Sequence, residues 1–292
     1  MQSKQIPYRS RLAPTPTGYL HLGHARTFWT AQVRVRANGG ALILRNDDLD
    51  RARCKPEFVR AMFEDLRWFG FEWHEGSDLG GPFAPYNQSE RMDAYRAALE
   101  TLRAGGFIYP CDCSRRDIQS APRAPHAADD EEPIYPGACR NKTAISGSKC
   151  AWRFRVPDGH AVTFADNNLG QQAFIAGKHF GDFVVWRNDD VPAYQLASVV
   201  DDGAMQITEV VRGADLLLST ARQLLLFRAL GLKAPEFFHC PLMLDENGQR
   251  LAKRSESLSL RTLRLRGANP DELRKKFLKE PAALVDVGEA AN

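Results

Sequence analysis

Two histidines three residues apart, His21 and His24, sit at the end of the run Pro14-Thr15-Pro16-Thr17-Gly18-Tyr19-Leu20-His21-Leu22-Gly23-His24. The run reads as a strand end, a tight turn and a helix start, the junction at which open α/β sheets bind ligands. A helix N-terminus offers unpaired N–H groups and a partial positive charge suited to phosphate, and Gly18 and Gly23 let backbone approach a ligand closely. H-x-G-H fixes only three letters, so alone it fits an ordinary helix start as well as a nucleotide site. It is neither a Walker loop nor G-x-G-x-x-G. A second element is Arg250-Leu251-Ala252-Lys253-Arg254-Ser255, after the turn-rich Leu244–Gln249. A lysine on such a loop can neutralise charge developing on a leaving pyrophosphate; the plainer reading is a solvated basic loop. A third is Cys111-x-Cys113 with Tyr135-x-x-x-Cys139. Thiolates are soft ligands suited to Zn²⁺, and four ligands close a structural site. Because C-x-C is tight and a tyrosine ligand uncommon, Cys150 is a rival fourth ligand, and small buried thiols remain the bland alternative.

Charges form a fourth set: Arg11, Asp47 in Arg45-Asn46-Asp47-Asp48-Leu49-Asp50, Tyr194 and Arg212. Asp47 follows the apolar run Ala41–Arg45, and Arg212 follows Val210-Val211, so both lie at expected strand ends. Two arginines and a carboxylate converging on one pocket would suit an amino acid with an acidic side chain. Taken singly, each is better read as a surface ion pair.

Around these residues the elements alternate. Tyr8–Leu12 is extended, His24–Ala37 helical until Gly39-Gly40, Ala41–Arg45 a buried strand, and Pro56–Phe69 an amphipathic helix with Phe58, Met62, Leu66 and Phe69 on one face. Glu90–Leu102 is another helix. Strand and helix in alternation predict an open α/β sheet. From Cys111 to about Val185 the text turns loop- and strand-rich, with a polar, proline-broken Arg115–Pro136 and strands at Trp152–Val156 and Phe183–Trp186. Helices return at Ala193–Val200 and Ser219–Leu230, another starts at Asn269-Pro270-Asp271-Glu272, and Pro281–Asn292 is expected to fray.

The chain has 292 residues, 43% hydrophobic and 26% charged, enough for one large or two small domains. Lysine plus arginine total 39 against 36 acids, which excludes a wholly basic protein but not a local basic face such as Arg250–Arg274. No run is apolar enough to span a bilayer, and the N-terminal MQSKQIPYRS lacks the apolar core of a secretory signal. Six cysteines in a chain of this size read as a reduced, cytoplasmic protein with a possible metal site.

Taken together the motifs resemble the class I aminoacyl-tRNA synthetases of the glutamyl type. RLAPTPTGYLHLGHART is similar to the family's R-F-A-P-S-P-T-G-x-L-H-x-G-x-x-R-T, and LRNDDLDRAR to its L-R-I-E-D-x-D-x-x-R. AYQLASVVDD and VVRGADLLLST resemble its second-half signatures, and RLAKRS falls where the family has K-L-S-K-R. The resemblance, from residue 9 to about 275, implies a Rossmann-like catalytic domain with a zinc-binding insertion and a short helical C-terminal segment. It implies divisions at 1–105, 106–190, 191–250 and 251–292: the two halves of the catalytic domain around the insertion, then the signature-lysine loop and helices. By the same resemblance His21, Gly23, His24 and Lys253 would serve ATP-Mg²⁺. Arg11, Ala13, Thr15, Asp47, Tyr194 and Arg212 would hold L-glutamate, with Arg11 on its side-chain carboxylate and Asp47 on its α-amino group. Cys111, Cys113, Tyr135 and Cys139 would hold one structural Zn²⁺. Glutamyl-adenylate and pyrophosphate would form, and the glutamyl group would pass to an RNA hydroxyl.

Three positions depart from the family. Asp47 is a methylene shorter than the family's glutamate, Asn46 replaces an apolar residue, and Arg250 and Ala252 replace the loop's first lysine and its serine. After Lys253 only 39 residues follow (292 − 253), too few for the large anticodon-binding region of full-length members. That resembles the shortened branch of the family, which activates glutamate without tRNA and transfers it to queuosine at the wobble position of tRNA(Asp). The expected partner is then the anticodon stem-loop, gripped in a salt-sensitive way by arginines of a monomeric protein. Rival readings are a minimal synthetase charging the 3′ end of tRNA(Glu), a small-molecule nucleotidyltransferase, and a decayed relative that activates nothing.

Overall fold

The computed structural model describes residues 7–114, 117, 134–142, 150–243 and 259–279. The first half is a parallel sheet in which β1 (Arg9–Leu12) pairs with β2 (Ala41–Leu44) and β2 with β3 (Glu75–Gly76). The buried Leu42, Ile43 and Leu44 explain the unbroken apolar run: a parallel strand covered on both faces has no polar side to show. Helix α1 (Leu22–Ala37) joins β1 to β2, and α2 (Pro56–Phe69) joins β2 to β3. Proline in the first turn and Gly70 beyond the last, at φ 93°, set the limits of α2. Its buried face is Ala61, Met62, Leu66 and Phe69; Phe58 is only half-buried and meets Tyr19 edge-on.

The second half lies alongside. The Thr208 amide donates to Arg9 O (2.9 Å) and Ser10 Oγ to Glu209 O (2.8 Å), which sets β9 (Glu209–Gly213) beside β1. Strand β10 (Glu236–Cys240) runs parallel to β9, and the hairpin β6 (Ala161–Asp166) and β7 (Gly170–Ile175) adds to its other edge. The hairpin lies within residues expected as an insertion, yet it continues the sheet that carries β9. The region's separate part is an antiparallel sheet of β4 (Ile108–Cys111), β5 (Ala151–Phe154) and β8 (Phe183–Trp186). Helices α3 (Met92–Ala104), α4 (Tyr194–Ala204) and α5 (Leu217–Ala229) pack between the sheets, and α6 (Leu260–Leu265) and α7 (Pro270–Lys279) return to α2. The architecture is thus mixed α/β, with a Rossmann-like parallel sheet and short C-terminal helices. The expected fraying of 281–292 lies outside the described residues, as does most of 115–136.

Two apolar clusters hold the layers. One gathers Leu12, Leu44, Leu66 and Phe69 around α1 and α2, and the other gathers Tyr95, Leu102, Val185, Leu196 and Phe227. The first also fixes the C-terminal helices, because Phe277 stacks on Phe69 (5.8 Å between centroids) and Phe69 on Phe71 (5.4 Å). Phe69→Ala is therefore expected to lower the unfolding free energy by about 3–5 kcal/mol in guanidinium titrations.

Candidate active site

A cleft of about 580 Å³ opens where β1, β2 and β9 end. Of the residues singled out in the sequence, Arg11, Ala13, Thr15, His21, Gly23, His24, Asp47, Tyr194 and Arg212 all line it. The stretch carrying Lys253 lies outside the described residues, but its neighbours in the chain reach the same place. Met243 lines the cleft, Ser259 bridges to His21, and the Leu260 amide donates to Leu20 O (2.6 Å).

The histidine end is built by the start of α1, two residues before the expected helix. His21 is the cap: its Nδ1 accepts from the Gly23 amide (3.1 Å), while Nδ1 of His24 accepts from the His21 amide (3.3 Å). With both Nδ1 atoms accepting, each neutral ring carries its proton on Nε2, a donor free of the helix. The ring centroids are 3.6 Å apart. Burial lowers both pKa values, and for His24 the neighbouring ring lowers it further. The outer side of His24 is nonetheless exposed, so a ligand can reach it. This is a pair of neutral donors beside a helix N-terminus, which suits phosphate oxygens.

The other end is a set of buried charges. Arg45, with no exposed surface, donates through Nε to Asp47 Oδ1 (2.7 Å) and through Nη1 to Asp202 Oδ1 (2.6 Å). Arg11 Nε reaches the same Asp202 oxygen at 3.1 Å. The neighbouring Asp201 accepts from Arg91 Nε (2.6 Å), Gln88 Nε2 (2.8 Å) and the Tyr95 hydroxyl. Burial pushes the Asp47 carboxyl up to about 6 against the pull of Arg45. Arg212 differs from its neighbours because its hydrogen-bond partners are neutral: Thr220 Oγ1 (2.6 Å), Gln223 Oε1 (2.8 Å), His239 Nε2 (3.2 Å) and the Tyr194 hydroxyl (3.4 Å). Burial, and then the charge of Arg11, weigh against its cationic form. A guanidinium does not lose its proton in proteins, so the result is an under-compensated buried cation at the cleft wall, an anion site by charge alone.

Sequence reasoning assigned no role to Arg45, Asp201, Asp202, Thr220, Gln223 or His239. The signal was present for the aspartates: a charged doublet closing an otherwise apolar helix must be paired if it is buried. Arg45 likewise stands directly after the buried strand β2.

At the antiparallel sheet, the sulfurs of Cys111, Cys113 and Cys139 lie within 4.8 Å of one another. The Tyr135 hydroxyl is 3.4 Å from the first two sulfurs and accepts from the Cys139 amide at 2.9 Å. Cys150, half-buried, is not in that group. Burial raises the Cys111 thiol, but the Tyr135 hydroxyl and Arg153 Nε (3.2 Å from the sulfur) outweigh it and hold the thiol below its ordinary pKa. Three converging thiols, one favoured as thiolate, fit a soft divalent metal such as zinc, which would cross-link β4 to the 135–139 turn.

Comparison with known proteins places the cleft in context. The catalytic-domain pattern of the class I tRNA synthetases (E and Q) matches residues 7–279, and the chain belongs to this family. It is 48% identical over 268 residues to a glutamyl-Q tRNA(Asp) synthetase of Symbiobacterium thermophilum, a match covering 89% of this chain and 82% of that one. A glutamate–tRNA ligase of Halorhodospira halophila is 42% identical, with 92% of this chain and 57% of the relative covered. The solved glutamate tRNA ligase of Elizabethkingia meningosepticum in complex with its amino acid superposes with a TM-score of 0.75 at 32% identity, over 85% of this chain and 52% of that one.

Protein supplemented with zinc is expected to carry one equivalent per chain by elemental analysis, and Cys111→Ser to carry clearly less; a zinc-free wild type would remove the site.

Proposed function

We propose that the protein activates L-glutamate with ATP-Mg²⁺ and transfers it to queuosine at position 34 of tRNA(Asp), working in the cytoplasm as a monomer. The observation that carries the amino-acid half of this reading is the convergence of Arg11 and Arg212 on one cleft, with no acidic hydrogen-bond partner of Arg212 among the described residues. A side-chain carboxylate would supply the missing charge. Asp47, held by Arg45, would accept from the substrate's ammonium group. Greater similarity to the glutamyl-Q relative than to the glutamate–tRNA ligase, 48% against 42% identity, supports queuosine over a 3′ end as acceptor.

The chemistry needs no protein nucleophile. The substrate's α-carboxylate attacks the α-phosphorus of ATP, a P–O bond forms, and pyrophosphate leaves. The Nε2 donors of His21 and His24, with Lys253, would stabilise negative charge on the phosphates, so catalysis is positioning plus electrostatics. A queuosine hydroxyl then attacks the acyl carbon and AMP departs. Charging of tRNA(Glu) is the second reading, since it would use every one of these cleft residues.

As pH falls through about 6, Asp47 takes up a proton and ceases to attract the substrate's ammonium. The glutamate KM in pyrophosphate exchange should therefore rise roughly tenfold from pH 7.5 to 5, whereas Asp47→Asn should start high and lose most of that dependence. For the acceptor, labelled glutamate is incubated with ATP-Mg²⁺ and tRNA(Asp) lacking its terminal adenosine, with or without queuosine. Label is expected only on the queuosine-bearing RNA, in the anticodon fragment after nuclease digestion. Charging of intact tRNA(Glu) without that label would establish the second reading instead.

A further inference from the structure

Behind the cleft wall lies a fully buried pair, His239 and Asp166, that the reaction described above does not use. Asp166 Oδ2 is 2.6 Å from His239 Nδ1. The carboxylate also accepts from the backbone amides of Asn168 (3.0 Å), Leu169 (2.9 Å) and His239 (3.1 Å). Surrounded by donors, Asp166 stays an anion and can only accept, so the proton between it and the ring belongs to Nδ1. The far nitrogen, Nε2, faces the Nε–H of Arg212 at 3.2 Å and the Thr220 hydroxyl, which can donate or accept, at 3.0 Å. An imidazolium would set N–H against N–H there, so the ring is neutral and Nε2 accepts. Burial and the Arg212 charge act in the same direction, holding the His239 pKa below its ordinary value.

We propose that His239 is a specificity-determining positioning residue: an uncharged acceptor that orients Arg212 without cancelling the charge Arg212 offers to a substrate carboxylate. The inference rests on the reading of this cleft as a glutamate site. An acid in place of His239 would orient the guanidinium as well, but would satisfy it internally. The other partners of Arg212 follow the same rule, being a threonine, a glutamine and a tyrosine. Gln223 adds a second observation. Its Oε1 accepts from Arg212, while its buried Nε2 has no protein partner among the described residues, leaving another donor beside the same cation. Arg212 is thus fixed on one side by neutral groups, and discrimination between glutamate and its neutral isostere glutamine depends on their neutrality.

Two measurements test this. The first needs no catalysis: nitrogen-15 histidine NMR of the intact protein at pH 7 should show a neutral His239 ring protonated on Nδ1. An Nε2-protonated ring or an imidazolium would overturn the proposal. The second compares pyrophosphate exchange with glutamate and glutamine in His239→Leu and His239→Glu, each checked for native melting behaviour. His239→Leu should raise the glutamate KM about tenfold, with kcat and the ATP KM moving far less. His239→Glu should cut the preference for glutamate over glutamine by roughly a hundredfold. Folded variants that keep the wild-type preference, or that shift kcat and both KM values together, would reduce His239 to a packing role. A wild type that activates a different acidic amino acid would end the glutamate reading and leave the charge argument standing. Preference for a neutral amino acid would end both.

Discussion

Two adjacent carboxylates, Asp201 and Asp202, tie the molecule together from the buried end of α4. Successive residues on a helix point some 100° apart, so the two face different neighbours. Asp202 takes Arg11 from β1 and Arg45 from the end of β2, whereas Asp201 takes Arg91, Gln88 and Tyr95 from the segment before and within α3. Taking such charges out of water costs several kcal/mol per ion, a cost repaid only when geometry and partners are complete. That demand fixes the relative placement of four chain segments distant in sequence. The cleft inherits its precision from this network, since Asp47 is oriented by Arg45 and Arg45 by Asp202.

The same network shows what a single sequence conceals. His21, His24, Asp47 and Arg212 drew notice because each stands at an expected strand or helix end, whereas Arg11 and Tyr194 became legible only when the motifs taken together resembled a family. The α/β alternation was legible for a similar reason: apolar runs such as Leu42–Leu44 and the amphipathic face of α2 announce their surroundings. Asp202 and His239 owe their roles to partners 191 and 73 residues away, which no local period names, whereas Thr220 and Gln223 bind the nearby Arg212 and are neutral residues of a kind that commonly lies unremarked in a helix. Strands β6 and β7 escaped for another reason. Strand β6 does alternate, with Val162, Phe164 and Asp166 turned inward, but one of those three is an aspartate, and β7 has no fully buried residue to mark a face. The start of α1 was misplaced by two residues because histidine is not an obvious cap, and here one imidazole closes the helix by accepting from Gly23.

The cysteine cluster obeys a different logic from the cleft. The cleft's charges are set among strands of the parallel sheet, while the thiols lie where β4 meets a turn with little apolar surface of its own. Beside the small core of Tyr109, Cys111, Tyr135 and Cys139, the turn is held by the Arg140 amide donating to Gly137 O (2.8 Å) and by Arg155 Nη2 donating to Arg140 O (2.7 Å). Arg153 strengthens it, lying over the Tyr135 ring at 4.0 Å while also contacting the Cys111 sulfur. A metal bound by the three thiols would add a cross-link to these contacts.

The anchoring of Met243 and Ser259 at the cleft bears on Lys253. Met243 forms part of the cleft wall, and Ser259 is bridged to His21, with Leu260 hydrogen-bonded to Leu20 just beside it. The described residues that flank the segment carrying Lys253 therefore both stand on the same rim. Closing a chain between two such fixed points costs an entropy that grows only as the logarithm of its length. In the role proposed for it, Lys253 would act at high local concentration, as a tethered ligand does. A cut between Met243 and Ser259 would leave Lys253 tethered through one end only, lowering its effective concentration at the rim without reducing it to that of a free solute.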